Sequence, residues 1–229
     1  MAVDVRPFQV NDTESLRAIC CATAPEQPFL PWLEVPRLAC ELFLDPYLEL
    51  ESESCFVGLL DGHVVGYIVG TRDERTFRVR QRTRLQHRLI RLLRIHIEGV
   101  TERRFTHLFS HRAMAKIYWK ALAGLRERTS DPYYDMDRYP ATSHIQVVPE
   151  ARGKSVALAL MLQFHKHLKA HGAPGYHGVA VEESGREDFS KMLLALQFRQ
   201  VHELQFTSRD VRTLVHPGLW KRRVFVREV

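Results

Sequence analysis

The sequence predicts a mixed α/β fold, in the α+β sense of one central sheet with helices on its faces. Three observations carry this. Residues 145–148 (Ile-Gln-Val-Val) are a short strand-like run that Pro149 stops, because proline has no N–H for the next ladder bond. After the turn Arg152-Gly153-Lys154-Ser155, apolar residues recur at Ala157, Leu160, Met161, Phe164 and Leu168, the stripe of an amphipathic helix. Upstream, residues 55–60 and 64–70 flank Asp61-Gly62-His63, and Asp-Gly between two apolar runs signals a hairpin.

The other elements follow in chain order. Residues 3–7 form a first strand. Asn11-Asp12-Thr13-Glu14 opens a helix as a capping box, with Asn11 as cap, Glu14 reaching back, and Leu16 and Ile19 on one face. Residues 24–36 hold four prolines and no helical period, so they form a loop. A short helix at residues 38–44 is ended by Asp45-Pro46. Leu85, Leu89, Leu92, Leu93 and Ile97 define one amphipathic helix, and Met114, Ile117, Tyr118, Ala121 and Leu125 a second. Residues 72–130 are therefore a folded helical insertion between the third and fourth strands. Residues 131–140 are a polar, aromatic loop. Beyond the central helix come a strand at 176–181, a helix at 189–196, a strand at 198–206 and a last strand at 220–226. No linker or internal repeat divides the chain, so one domain over residues 1–229 is expected.

Composition narrows the function classes. At 45% hydrophobic and 26% charged, 229 residues describe a globular protein with a sizeable core. No apolar run approaches the roughly 20 residues that span a bilayer. The opening residues lack the apolar core of a secretion signal, so a cytoplasmic location is expected. Cys20, Cys21, Cys40 and Cys55 have no metal-ligand spacing, and the twelve histidines show no zinc-hydrolase order. Reduced thiols and no metal are expected. Formal charge is +6, and residues 72–128 hold sixteen Lys and Arg against five Asp and Glu. The basicity belongs to the insertion. Its arginines face solvent, an anionic substrate, an acidic partner or a nucleic-acid backbone. No aromatic platform accompanies them, which argues against single-stranded nucleic acid.

The turn also carries a resemblance. Val148 to Ala157 resembles the acetyl-CoA pyrophosphate loop of the GNAT acyltransferases, Arg/Gln-x-x-Gly-x-Gly/Ala. Arg152 takes the first position, Ser155 stands where glycine is usual, and Ala157 is the second small residue. Asp45-Pro46-Tyr47-Leu48-Glu49-Leu50-Glu51, Cys55-Phe56-Val57, Gly66-Tyr67-Ile68-Val69-Gly70, and Tyr139-Pro140-Ala141 before His144-Ile145-Gln146 are similar to one GNAT branch. That branch includes the acetyltransferase-like domain of O-GlcNAc hydrolases and its bacterial relatives, and it usually has Asp where Gln146 stands. The element order, with its insertion, is also the GNAT order.

The resemblance implies a GNAT fold whose fourth and fifth strands splay apart. Pantetheine would lie between them on backbone around Gln146, Val147 and Val148. The pyrophosphate would lie on Arg152, Gly153, Lys154, Ser155, Val156 and Ala157. It implies an acetyl-CoA-dependent N-acetyltransferase in which a neutral amine attacks the thioester directly. His144 is the best base, since an imidazole of pKa about 6.5 suits neutral pH. Tyr139 and Asp137 are further catalytic candidates, and Glu182 and Glu183 would act only through water. The family's acid Tyr, its Asn and its Gly are replaced by Leu193, Arg186 and Gln197. This leaves open a degenerate domain that binds acyl-CoA or a partner without turnover. The acceptor amine is unspecified, and apolar insertion helices leave a homodimer open.

Overall fold

The computed structural model describes residues 2–23, 39–101, 131–207 and 219–229. The chain divides into two compact units, Met1–Glu74 with Ser130–Val229, and Arg75–Thr129. The first unit holds β1 (Val3–Pro7), β2 (Cys55–Leu60), β3 (His63–Thr71) and β4 (Thr142–Val147), an antiparallel sheet in that order. It also holds β5 (Gly175–Glu183), β6 (Arg199–Thr207) and β7 (Leu219–Glu228), a second antiparallel sheet in which β7 lies between β5 and β6. Helices α1 (Thr13–Thr23), α2 (Asp45–Leu50), α3 (Glu74–Thr101), α4 (Val156–Ala170) and α5 (Asp188–Ala195) complete the described elements.

Local chemistry explains the boundaries. Asp61 and Gly62 both have positive φ, 50° and 85°, as a two-residue hairpin turn requires when it matches the right-handed strand twist. At the start of α1 the capping carboxylate is Asp12, not Glu14. Asp12 accepts the Gln9 amide at 2.8 Å and is gripped by both terminal nitrogens of Arg6 at 2.7 and 2.8 Å. That grip holds the Asp12 carboxyl below the usual carboxylate range. Glu14 pairs instead with Arg17, 3.1 Å away and one turn on. The expected helix end at Asp45-Pro46 is also a start. Residues Cys40–Leu44 form a π-helical turn, and Pro46 sits in the first turn of α2, where its missing N–H has no intrahelical role to fill.

Two cores lie on opposite faces of the first sheet. On one, α4 buries Val156, Leu160, Met161, Phe164 and Leu168 against Phe56, Ile68 and Val147. On the other, Leu16, Ile19 and Cys20 of α1 and Cys40 and Leu44 of the π-turn pack on Val57, Tyr67 and Val69. Two glycines set the closeness of α4. A Cβ at Gly58 would lie 2.7 Å from Val156, and one at Gly70 would lie 2.4 Å from the Phe164 ring.

In the second unit, α3 begins well before the predicted leucine stripe. Phe77, Gln81 and Leu85 recur every four residues along it and are buried. The predicted second helix of the insertion lies outside the described residues.

Candidate active site

β4 and β5 are parallel neighbours that meet at one point only. Ala141 bridges Tyr176, with the Ala141 amide donating to the Gly175 carbonyl at 3.2 Å and the His177 amide donating to Ala141 at 2.9 Å. Beyond that point, among the described residues, β4 pairs with β3 alone and β5 with β7 alone. Strand alternation fixes what faces the gap. The Val148 amide donates to Val65 on the β3 side at 2.9 Å. The backbone groups of Ser143, Ile145 and Val147 therefore point, like those of Ala141, toward β5. No ladder uses them there. Gln146 and Val148 have the other parity, so their backbone is committed to β3. Of the three residues expected to line this gap with backbone, Val147 alone presents it, and Ile145 joins it.

The gap opens onto the start of α4. Pro149–Ala151 is a 3₁₀ turn, and three amides are used up here: Ala151 donates to Val148 at 3.0 Å, Arg152 to Pro149 at 3.2 Å and Lys154 to Ala151 at 3.3 Å. Arg152 and Lys154 can thus serve only through their side chains, and the Arg152 Nε donates to the Val147 carbonyl at 3.3 Å. Among the described residues, the amides of Gly153, Ser155, Val156, Ala157 and Leu158 donate to no carbonyl. Gly153 and Ser155 both take left-handed φ, 75° and 63°. Successive turns of this kind gather N–H groups on one concave side, where the helix dipole adds positive potential. A Cβ on Gly153 would meet nothing within 4 Å, so the approach to these amides is open. The Ser155 side chain makes no cap bond, which leaves the N–H groups uncovered. A diphosphate fits this donor set.

His144 lies on β4, half-buried, facing the α1 side of the sheet. Its Nε2 is 3.1 Å from Gln146 Nε2, and its ring is 6.4 Å from those of Phe43 and Tyr67. With the amide nitrogen as donor, Nε2 accepts and the ring proton sits on Nδ1. Burial pushes the His144 pKa down to about 4, so the ring is neutral at neutral pH.

Tyr139 and Asp137 stand elsewhere. Tyr139 is buried below the Ala141 bridge, and no hydrogen bond or ring contact joins it to His144 among the described residues. Asp137 is exposed on the loop, its amide held by Asp135 at 2.8 Å. That loop lies on the second sheet, with Tyr133 stacked on His202 (3.7 Å between ring centres) and Tyr134 on His177 (4.3 Å). Glu182 accepts the Phe189 and Ser190 amides at the start of α5, and Glu183 is paired at 3.9 Å with Arg186. Leu193, which the resemblance aligns with an acid tyrosine, is buried in the core.

Two groupings were not anticipated. Ser143 Oγ is hydrogen-bonded to the Tyr176 hydroxyl just past the bridge, where the strands part. Burial raises the Tyr176 pKa to about 12, so this phenol stays protonated. The available signal was parity, because Ser143 is polar yet shares a face with Ile145 and Val147. Below the bridge, His177 Nδ1 donates to the Tyr139 carbonyl at 2.7 Å while its Nε2 is 3.2 Å from Glu74. A carbonyl only accepts, so Nδ1 is the donor of that bond. No sequence spacing relates residues 74 and 177.

No protein-family model matches the sequence, and no curated protein matches it. Solved structures match along its whole length. The structure of SsHAT has a TM-score of 0.60 at 20% identity, covering 100% of this chain and 98% of that one. A polyamine N-acetyltransferase of Drosophila melanogaster, which forms N-acetylagmatine, gives 0.54 at 14% identity with both chains fully covered. The putative acetyltransferase yncA of Salmonella typhimurium, solved with acetyl-CoA, gives 0.55 at 13%, covering 100% and 94%. At such identities the likeness is one of fold: the chain has the mixed α/β GNAT fold. No helix among the described residues is long and apolar enough to cross a membrane.

Proposed function

We propose that this chain, built on the GNAT fold, is an acetyl-CoA-dependent N-acetyltransferase acting on an amine. One observation carries the reading: amides at the start of α4 that donate to no carbonyl stand at the mouth of a gap whose β4 edge pairs with no strand among the described residues. Acetyl-CoA, when bound, supplies an activated thioester. The Gly153, Ser155, Val156, Ala157 and Leu158 amides hold the diphosphate, with the Lys154 side chain adding charge. Ile145 and Val147 hold the extended pantetheine by backbone bonds, as an added strand would be held. His144, neutral at working pH, takes the acceptor's proton on Nε2 once the amine displaces the Gln146 amide from that lone pair. Tyr139 and Asp137, the further catalytic candidates, stand apart from His144 and take no part in this proton transfer. The motifs around residues 45–70 and 139–146 resemble the branch of the O-GlcNAc hydrolase domain and its bacterial relatives, which supports assignment to it. A cytoplasmic location, where acetyl-CoA is made and used, accords with this.

A second reading has its own observation. With Leu193 buried at the acid position and the His144 lone pair engaged by Gln146, the site has a binding surface but a thin proton path. In that case acyl-CoA binds without turnover.

Calorimetry with acetyl-CoA, followed by transfer of labelled acetyl to a panel of small amines, tests both. The enzyme reading expects heat, a raised Tm and label on an amine, with His144→Gln lowering kcat by roughly 10²-fold or more. Binding without label on any amine favours the second reading. No heat at millimolar acetyl-CoA removes both.

A further inference from the structure

The second core of the first sheet contains a cluster that the acetyl-transfer reading does not use. Cys21 of α1 and Cys40 of the π-turn bring their Sγ atoms to 3.4 Å, and no disulfide joins them. The Cys40 thiol also lies 3.6 Å from the Arg17 carbonyl, which fixes its side chain toward α1. Cys20 sits beside them, and beneath lies Tyr67, fully buried, whose hydroxyl has no nitrogen or oxygen partner. A buried polar group left this way is normally avoided, since it costs more than a hydrogen bond returns. Cys20 and Cys40 are buried, while Cys21 is partly exposed.

We propose that Cys21 and Cys40 are a redox-active dithiol that closes to a disulfide, tying α1 to the π-turn. The bond needs the sulfurs to approach from 3.4 Å to about 2.05 Å, a side-chain adjustment of the two residues. Exposed Cys21, as thiolate, attacks a low-molecular-weight disulfide, forming a mixed disulfide and releasing one thiolate. Cys40 then attacks the Cys21 sulfur and expels the second. Two electrons pass from the pair to the reagent, and two protons leave the two cysteines. Cys40 is buried, and its neighbour Cys20 together with burial pushes its thiol up, so the first attack belongs to the more accessible Cys21. Cys55 is outside this chemistry. It is fully buried, donates to the Glu51 carbonyl at 3.3 Å, and burial raises its pKa. The π-turn also carries Phe43, the ring neighbour of His144. Closing the bond therefore pins one wall of the proposed acetyl-transfer site, although the thiol chemistry is independent of that site's activity.

The test treats the reduced full chain with oxidised glutathione at pH 8, alkylates what remains, and maps the peptides. The expected product has Cys21 joined to Cys40, with Cys20 and Cys55 alkylated after unfolding. It regains four thiols with dithiothreitol and melts roughly 5–10 °C higher, since the bond closes a loop of about 20 residues. Cys21→Ser and Cys40→Ser each abolish the intramolecular bond, whereas Cys55→Ser leaves it intact. Four alkylated cysteines, glutathione adducts without an internal bond, or a Cys20–Cys40 linkage overturns the assignment.

Discussion

The left-handed backbone at Ser155 (φ 63°) is the residue on which anion binding turns. A side chain in that region costs of order 1–3 kcal/mol, and only glycine is free of the penalty. Ser155→Gly should hold stability steady or raise it by up to about 1 kcal/mol by urea unfolding, while acetyl-CoA binds as tightly or more so. Ser155→Val should lose more than about 1 kcal/mol and bind weakly. Equal binding by both variants would show that this turn does not hold the diphosphate. His144 makes a pH prediction. Its pKa is near 6.5 in the unfolded chain and pushed down to about 4 in the folded one. Above pH 6.5 both states are neutral there and nothing is lost. As pH falls from 6.5 toward 4 the unfolded chain gains a proton that the folded chain refuses, so stability drops. The drop has a ceiling on the order of 3 kcal/mol. Melting temperatures between pH 7 and 4 should fall less steeply in His144→Gln, and parallel curves would mean the ring is not desolvated.

At the scale of elements, the seating of α4 on the first sheet aims its N-terminus at the β4/β5 gap. That seating relies on glycine in β2 and β3. A Cβ at Gly70 would fall 2.4 Å from Phe164 Cζ and 2.6 Å from the Thr142 carbonyl, a rigid ring and a backbone atom. Gly70→Ala should therefore destabilise by about 1–3 kcal/mol and weaken acetyl-CoA binding, because α4 must lift or β4 must shift. A variant as stable as the parent would show that the helix has room to spare. The strands, α4 and the Asp-Gly turn were legible because each has a period or a turn residue that acts within a few positions. The α2 start was misread because proline marks a helix end and a helix first turn equally well. Of the expected gap-lining backbone, Val147 faces the gap while Gln146 and Val148 bond to β3, because parity depends on which β3 atoms β4 meets, a long-range fact. The Glu74–His177 contact left no trace because its partners lie about a hundred residues apart. The contact still gives a test. Glu74→Gln can donate an amide N–H to His177 and should cost little, whereas Glu74→Ala strips a buried partner and should cost about 1–3 kcal/mol in the same unfolding assay.

Charge is divided across the whole molecule as sharply as structure is. Residues 75–129 hold fifteen Lys and Arg against three Asp and Glu, a balance of +12 in a chain of +6, so the first unit carries −6. Both core clusters that support the two sheets consist of first-unit residues alone. The amides and strand edge proposed to hold acetyl-CoA also lie there. An acidic unit that binds a polyanion must do so through directed N–H groups, since its overall field opposes approach. Replacing residues 75–129 with a short Gly-Ser linker should then give a folded, acidic protein by circular dichroism. It should bind acetyl-CoA within about threefold of the full chain at 0.15 M salt, where surface fields are screened beyond roughly 8 Å. At low salt the two should diverge, with the full chain associating faster. A folded variant that binds tenfold or more weakly at 0.15 M salt would assign the diphosphate to basic side chains of the insertion and not to the α4 amides.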